Sequence, residues 1–136
     1  MMQPVLNIGV DVAKDAVVVA CAERSFPVQS VPNQRAPLRA WLKSLPASSR
    51  IGLESTGAYH ELLADLAQAQ GHTAFLLNPL DTRHYAKAMG TRAKTDRVDA
   101  EVIARLIGQE HPRLRAYTPP TATQRKLDRL SRRRAT

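Results

Sequence analysis

Three short segments rich in β-branched and apolar residues open the chain, with no helical pattern between them. They cover residues 5–12, 16–23 and 25–31, and brief polar links join them. This spacing predicts an antiparallel meander of three strands. Pro27 cannot donate a backbone hydrogen bond, so the third strand is predicted to lie at an edge of the sheet. This meander limits the fold more than any other feature of the sequence, because it disfavours sheets whose first strands are separated by helices.

Helices and strands alternate after the meander. Apolar residues at helical spacing follow Asn33, which is expected to cap the first helix. The segment 50–56 is predicted to form a short strand that ends at Glu54, and 72–78 is predicted to form another. Helices are predicted at 58–71, 79–88 and about 95–108. This order predicts an α/β fold of the ribonuclease H-like class, a mixed five-stranded sheet flanked by helices. A flavodoxin-like sheet is the alternative, but it would need a helix between the first strands.

The C-terminal segment differs from the rest in charge. A proline-marked connector and the start of a basic helix are predicted at 112–136, after a body at 1–111. The chain has 20 Lys/Arg and 12 Asp/Glu, a net charge of +8. Eight of these basic residues and one acidic residue lie from Arg113 onward, which leaves +7 there and +1 in the body. Such a segment is typical of phosphate contacts, with a solvated helix face as the alternative.

Composition narrows the class of protein. A hydrophobic content of 43% supports a globular fold. The single cysteine, Cys21, excludes an internal disulfide framework and favours a reduced, intracellular setting. There is neither a membrane-spanning apolar run nor a signal-peptide pattern. We therefore expect a cytoplasmic protein without a membrane partner.

Four acidic residues stand where the predicted fold brings chain segments together. Asp11 lies near the end of the first strand and Glu54 ends the fourth, so parallel pairing would put both at one sheet edge. Asp96 and Asp99 lie on one face at the start of the last body helix. There they could offset the helix dipole or reach the same edge. Four carboxylates suit hard cations such as Mg²⁺ or Mn²⁺, and two such ions can support phosphoryl transfer.

Three segments together resemble a known family: "IGVDVAKD", "LESTGAYHELLA" and "NPLDTRHYAKAMGTRAKTDRVDAEVIARL". They are similar to the N-terminal catalytic domain of the DEDD transposases of bacterial insertion sequences, a group that includes the pilin-gene invertases. The resemblance covers roughly residues 7–134, and the combination is specific although each motif alone is weak. It implies a RuvC-like domain of the ribonuclease H superfamily. The catalytic and metal-binding tetrad carries over to Asp11, Glu54, Asp96 and Asp99.

The resemblance also implies an activity and partners. The activity is metal-dependent DNA strand cleavage and transfer in transposition, with two Mg²⁺ or Mn²⁺ ions as cofactors. DNA and a structured guide RNA are the implied partners, and the full-length protein is expected to form a homo-oligomer. Family members continue into a second domain that supplies a serine nucleophile. We therefore expect an excised domain or a truncated copy that does not complete recombination alone.

Basic residues near the acids and in the tail are candidates for nucleic-acid binding, with ordinary surface charge as the alternative for each. They are Lys87, Arg92, Lys94, Arg97, Arg125, Lys126, Arg129, Arg132, Arg133 and Arg134. Two classes of function stay open at this point. One is a metal-dependent recombinase domain, and the other is a non-catalytic nucleic-acid-binding module with a degenerate ribonuclease H-like fold. The four acids favour the first, because a pure binder has no need to gather anions near DNA.

Overall fold

The computed structural model describes residues 5–55, 57–90 and 99–134, with residues 128 and 131–134 described by their backbone alone. The strands are β1 Asn7–Val12, β2 Ala16–Cys21, β3 Gln29–Pro32, β4 Arg50–Glu54 and β5 Thr73–Leu77. The helices are α1 Arg35–Ser44, α2 Glu61–Ala69, α3 Pro79–Ala88, α4 Ala100–Glu110 and α5 Ala122–Arg134, with a 3₁₀ turn at His111–Arg113. No helix in these ranges is long and apolar enough to cross a membrane.

The five strands form one mixed sheet in the order β3-β2-β1-β4-β5. The pairs β1–β2 and β2–β3 are antiparallel, as the predicted meander requires. The strands β4 and β5 run parallel to β1, each reached through a helix. This arrangement confirms the predicted α/β class with a five-stranded mixed sheet and is consistent with a ribonuclease H-like fold. The edge position of β3 is confirmed as well.

Apolar side chains cover both faces of the sheet. One core cluster joins Ile8 and Val10 of β1 to Leu38 and Leu42 of α1 and to Leu63 of α2, all without exposed surface. A second cluster joins β5 to α3 and α4. Its fully buried members are Ile103 and Ile107. The sheet therefore lies between α1 and α2 on one face and α4 on the other.

Two glycines let α4 approach the sheet closely. A methyl carbon at Gly9 would lie 2.0 Å from the carbonyl oxygen of Ala100 and 2.3 Å from the nitrogen of Ala104. At Gly52, the residue paired with Gly9, the same carbon would lie 2.3 Å from Cγ1 of Ile107. All three distances are far inside van der Waals contact, so a side chain at either position would push the helix away. The backbone of α4 therefore packs directly on the centre of the sheet.

Several element boundaries differ from the sequence predictions. The third strand begins at Gln29 rather than at residue 25, and α2 begins at Glu61 rather than at residue 58. Asn33 does not cap α1, whose N-cap residue is Gln34 and makes no side-chain capping bond. The Asn33 amide instead donates to the carbonyl oxygens of Ala13, at 2.9 Å, and Tyr59, at 3.1 Å. The helix predicted from residue 95 is described from Ala100 onward.

Candidate functional site

Asp11 and Glu54 lie at the same end of the same sheet face. The parallel register pairs Gly9 with Gly52 and Val10 with Leu53, so Asp11 and Glu54 follow as the next neighbours. Side chains alternate along a strand, and both glycines face α4, so residues two positions further on share that face. Adjacent strands are about 4.8 Å apart, which brings the two acids within reach of one another. Both side chains are half-buried.

The direction of α4 brings a third acid to this end of the sheet. Gly108, near the end of α4, lies next to Asn7 at the start of β1, while Ala100 and Ala104 lie next to Gly9. The helix therefore runs antiparallel to β1, and its start points toward Asp11. Asp99 is the N-cap residue of α4, and its Oδ1 accepts a hydrogen bond from the Val102 amide at 3.0 Å. Capping thus uses one carboxylate oxygen of Asp99, and the other takes no part in this bond.

Glu54 contacts the helix that follows β5. Its Oε1 accepts a hydrogen bond of 2.8 Å from the hydroxyl of Thr82, whose residue has no exposed surface. The same hydroxyl lies 2.9 Å from the carbonyl oxygen of Pro79, one helical turn earlier. The contact leaves Oε2 of Glu54 outside this bond. Thr82 was not among the residues singled out from the sequence.

Asn33 braces the two loops that leave this edge. One bonded carbonyl, Ala13, lies two residues after Asp11, and the other, Tyr59, lies five residues after Glu54. A single amide group therefore connects the loop after β1 to the loop after β4. The Tyr59 side chain is exposed beside this brace.

The predicted site residues fall partly within and partly outside the described ranges. Asp96, Arg92, Lys94 and Arg97 lie outside the described residues. Within residues 5–55, 57–90 and 99–134, no three His, Cys, Asp or Glu side chains are grouped closely enough to hold a metal ion. The described part of the chain thus brings Asp11 and Glu54 to one edge and the start of α4 to the same end. The complete four-acid set stays a prediction.

The candidate basic residues fall into different environments. Lys87, in the last turn of α3, is exposed, and so are Lys126 and Arg129 on α5. Arg125 is instead engaged, because its guanidinium lies 2.5 Å from Oδ2 of Asp65. The side chains of Arg132, Arg133 and Arg134 are outside the described set.

Asp65 joins α5 and the connector to the body of the protein. Its Oδ1 accepts a hydrogen bond of 2.8 Å from the Tyr117 hydroxyl, and its Oδ2 pairs with Arg125. The backbone amide of Tyr117 donates to the carbonyl of Ala74 on the edge strand β5, at 2.7 Å. Burial and the bond to Asp65 raise the pKa of Tyr117 to about 12. We call Asp65, Tyr117 and Arg125 the connector clamp.

Some of these contacts left a sequence signal and others did not. Gly9 inside an apolar strand is typical of close backbone approach and could have indicated the packing of α4. Thr82 and Asp65 sit at ordinary helical positions, and the side chains that they bond are 28 or more residues away. Nothing local marks such residues.

Comparison with known proteins adds an independent finding. The family described as "DEDD_Tnp_IS110: Transposase" matches residues 8–136. The chain is 40% identical over 82 residues to the "Pilin gene-inverting protein" of Moraxella lacunata, and 39% identical over 82 residues to that of Moraxella bovis. Each match covers 60% of this chain and 25% of the relative, so the chain spans about a quarter of the length of these proteins.

Proposed function

The chain belongs to the DEDD transposase family of the IS110 type, and from this membership we propose that it carries the metal-dependent step of DNA strand cleavage and transfer. The observation that supports the proposal most is the shared sheet end of Asp11 and Glu54, toward which the start of α4 points. Acids at the carboxyl ends of adjacent parallel strands occupy the place where open α/β sheets hold their sites.

The donor set fits a hard divalent cation. Asp11, Glu54 and Asp99 offer only carboxylate oxygens, and Asp96 would add a fourth carboxylate. Oxygen donors of this kind favour Mg²⁺ or Mn²⁺ over metals that prefer nitrogen or sulfur. Glu54 and Asp99 each use one oxygen in a bond to the protein, which orients the carboxylate, and we propose that the second oxygen of each binds the cation. Two ions are proposed, as the family resemblance implies.

When bound, such ions would activate the attacking oxygen and stabilise the leaving oxygen in phosphoryl transfer. The residues of the chain have simpler tasks. Asp11 and Glu54 provide negative charge on a rigid sheet end, and α4 carries Asp99 toward it. Asn33 holds the two loops that border the site, which limits their movement relative to the acids.

Nucleic acid is the proposed partner. Exposed cations on α3 and α5, among them Lys87, Lys126 and Arg129, can neutralise phosphates without reading sequence. Arg92, Lys94 and Arg97 flank Asp96 in the sequence and are proposed to hold the backbone near the acids. The named activity of the relatives, inversion of a pilin gene, points to duplex DNA as the substrate. A guide RNA is proposed from the family resemblance alone.

Thermal melting with Mn²⁺ tests this proposal. Carboxylates repel one another in the metal-free site, and a bound cation relieves this repulsion. A ligand that binds only the folded state raises the melting temperature. At about 100 times Kd the gain is about 2.7 kcal/mol, on the order of 10 °C for a domain of this size. Asp11→Asn should abolish the rise. Glu110→Gln, at the far end of α4, should keep it. Equal rises for wild type and Asp11→Asn would refute the proposed site.

A further inference from the structure

Thr82 contacts Glu54 from α3, a helix that carries none of the four predicted acids. It has no exposed surface, yet its hydroxyl lies 2.8 Å from a carboxylate oxygen of Glu54. Burying a hydroxyl costs free energy unless it forms a hydrogen bond. The partner it meets is an acid of the proposed site.

The fold explains how Thr82 reaches Glu54. The strands β4 and β5 are parallel, and their register pairs Glu54 with Leu77. The chain then enters α3 almost at once, since Asn78 caps the helix by accepting from the Leu80 amide at 2.8 Å and Pro79 occupies its first turn. A helix that starts beside Leu77 places its first turns beside Glu54. Thr82 is therefore positioned by strand register and a capped helix start, which are both rigid features.

The hydroxyl has two acceptors and one proton. One acceptor is the neutral carbonyl of Pro79, at 2.9 Å, within the same helix. The other is the carboxylate of Glu54, on the strand β4. Hydrogen bonds to ionised acceptors are roughly twice as strong as neutral ones. Donation to Glu54 is therefore favoured, and it would hold Oε1 in place and so fix the direction of Oε2.

We propose that Thr82 is a positioning residue that holds the Glu54 carboxylate in the orientation required for cation binding. The inference rests on the proposed function, because it assumes that Glu54 is a metal ligand. Groups that hydrogen-bond to ligating carboxylates orient them, and losing such a partner typically lowers metal affinity about 10- to 100-fold. Thr82 touches neither the metal nor the substrate in this account, and acts through Glu54.

Three variants of the full chain test the proposal. Thr82→Val replaces the hydroxyl by a methyl group of similar size, and Thr82→Ser keeps the hydroxyl. Thr73→Val is the matched control, because Thr73 starts β5 at the opposite end of the sheet, paired with Arg50. Two readouts are needed: the Glu54 side-chain scalar couplings by NMR without metal, and the Mn²⁺ affinity by calorimetry.

Thr82→Val should change the Glu54 couplings from those of one rotamer to averaged values and lower Mn²⁺ affinity at least about tenfold. Thr82→Ser and Thr73→Val should resemble wild type in both readouts. Unchanged couplings and affinity in Thr82→Val would overturn the proposal and would indicate that the hydroxyl serves only the Pro79 carbonyl. Absence of Mn²⁺ binding by wild type would instead refute the proposed metal site, and the NMR couplings would still decide whether Thr82 holds Glu54.

Discussion

The acidic end of the sheet and the basic helix α5 are held by the fold in different ways. At the acidic end, two parallel strands, the start of α4 and the first turn of α3 surround Asp11 and Glu54. Between the body and α5, side-chain bonds converge on the single carboxylate of Asp65. The first region depends on the main core, whereas the second depends on a half-exposed clamp.

This difference separates two properties. Positioning of the acids should be lost when the core packing is disturbed or when a direct partner such as Thr82 is removed. We expect affinity for nucleic acid to come mainly from the tail charges. A change in the tail should therefore alter this affinity without moving the acids.

The largest effect is expected where α4 packs on the sheet. Gly9→Ala would place a methyl carbon 2.0 Å from the Ala100 carbonyl oxygen, so α4 must shift or the protein must unfold. We expect a loss of about 3 kcal/mol or more in the free energy of unfolding, measured with urea. Gly108→Ala is the control, because the added carbon would lie 3.6 Å from the Asn7 side chain, an ordinary contact. It should be neutral or stabilise by up to about 1 kcal/mol. Equal stability of the two variants would show that α4 does not approach the sheet as described.

Removal of residues 122–136 should have the next largest effect. It should lower the affinity for DNA and leave folding unchanged. Arg125 is engaged by Asp65, so five cations from Lys126 to Arg134 remain for phosphates. Five contacts give a log–log salt slope of about −4.5 on duplex DNA, at about −0.9 per phosphate. The shortened chain should show a much flatter slope and should keep its response to Mn²⁺.

A variant that keeps every cation of the tail sharpens the same comparison. Asp65→Ala releases Arg125, and one extra phosphate contact would steepen the slope by about 0.9.

Equal slopes with and without residues 122–136 would contradict this division between the tail and the body. They would place the phosphate contacts on the body instead, where Lys87, Arg92, Lys94 and Arg97 are the candidates.

The smallest effect concerns the pH dependence of the connector clamp. The pKa of Tyr117 is raised to about 12, above its ordinary value near 10. The neutral hydroxyl therefore stabilises the fold fully below about pH 10, and this contribution is lost as pH rises toward 12. Tyr117→Phe should lower the free energy of unfolding by about 1 kcal/mol at pH 8, a typical value for one hydrogen bond. The difference from wild type should disappear near pH 12. A difference that stays constant from pH 8 to 12 would show that the hydroxyl does not bond to Asp65.

Much of the fold could be predicted because its signals are local. Apolar runs identified the strands, and the end of β4 was predicted correctly because Glu54 and the polar residues after it end such a run. Asn33 shows the limit of local reasoning. Its amide could have capped α1, but its partners Ala13 and Tyr59 are 20 and 26 residues away. The same holds for Thr82 and for Asp65, whose bonds to Tyr117 and Arg125 span 52 and 60 residues. Such contacts follow from packing, which one sequence does not reveal.

We propose above all that a divalent cation binds at the end of the sheet where Asp11 and Glu54 meet. Paramagnetic broadening of backbone amide signals by Mn²⁺ tests it most directly, because the effect falls steeply with distance from the ion. We expect substoichiometric Mn²⁺ to broaden the amides of residues 11–13, 54–55 and 99–102 most strongly. Signals from the opposite end of the sheet, at Asn7, Arg50 and Gly108, should broaden much less. Broadening centred on that opposite end, or spread evenly over the surface, would contradict the account.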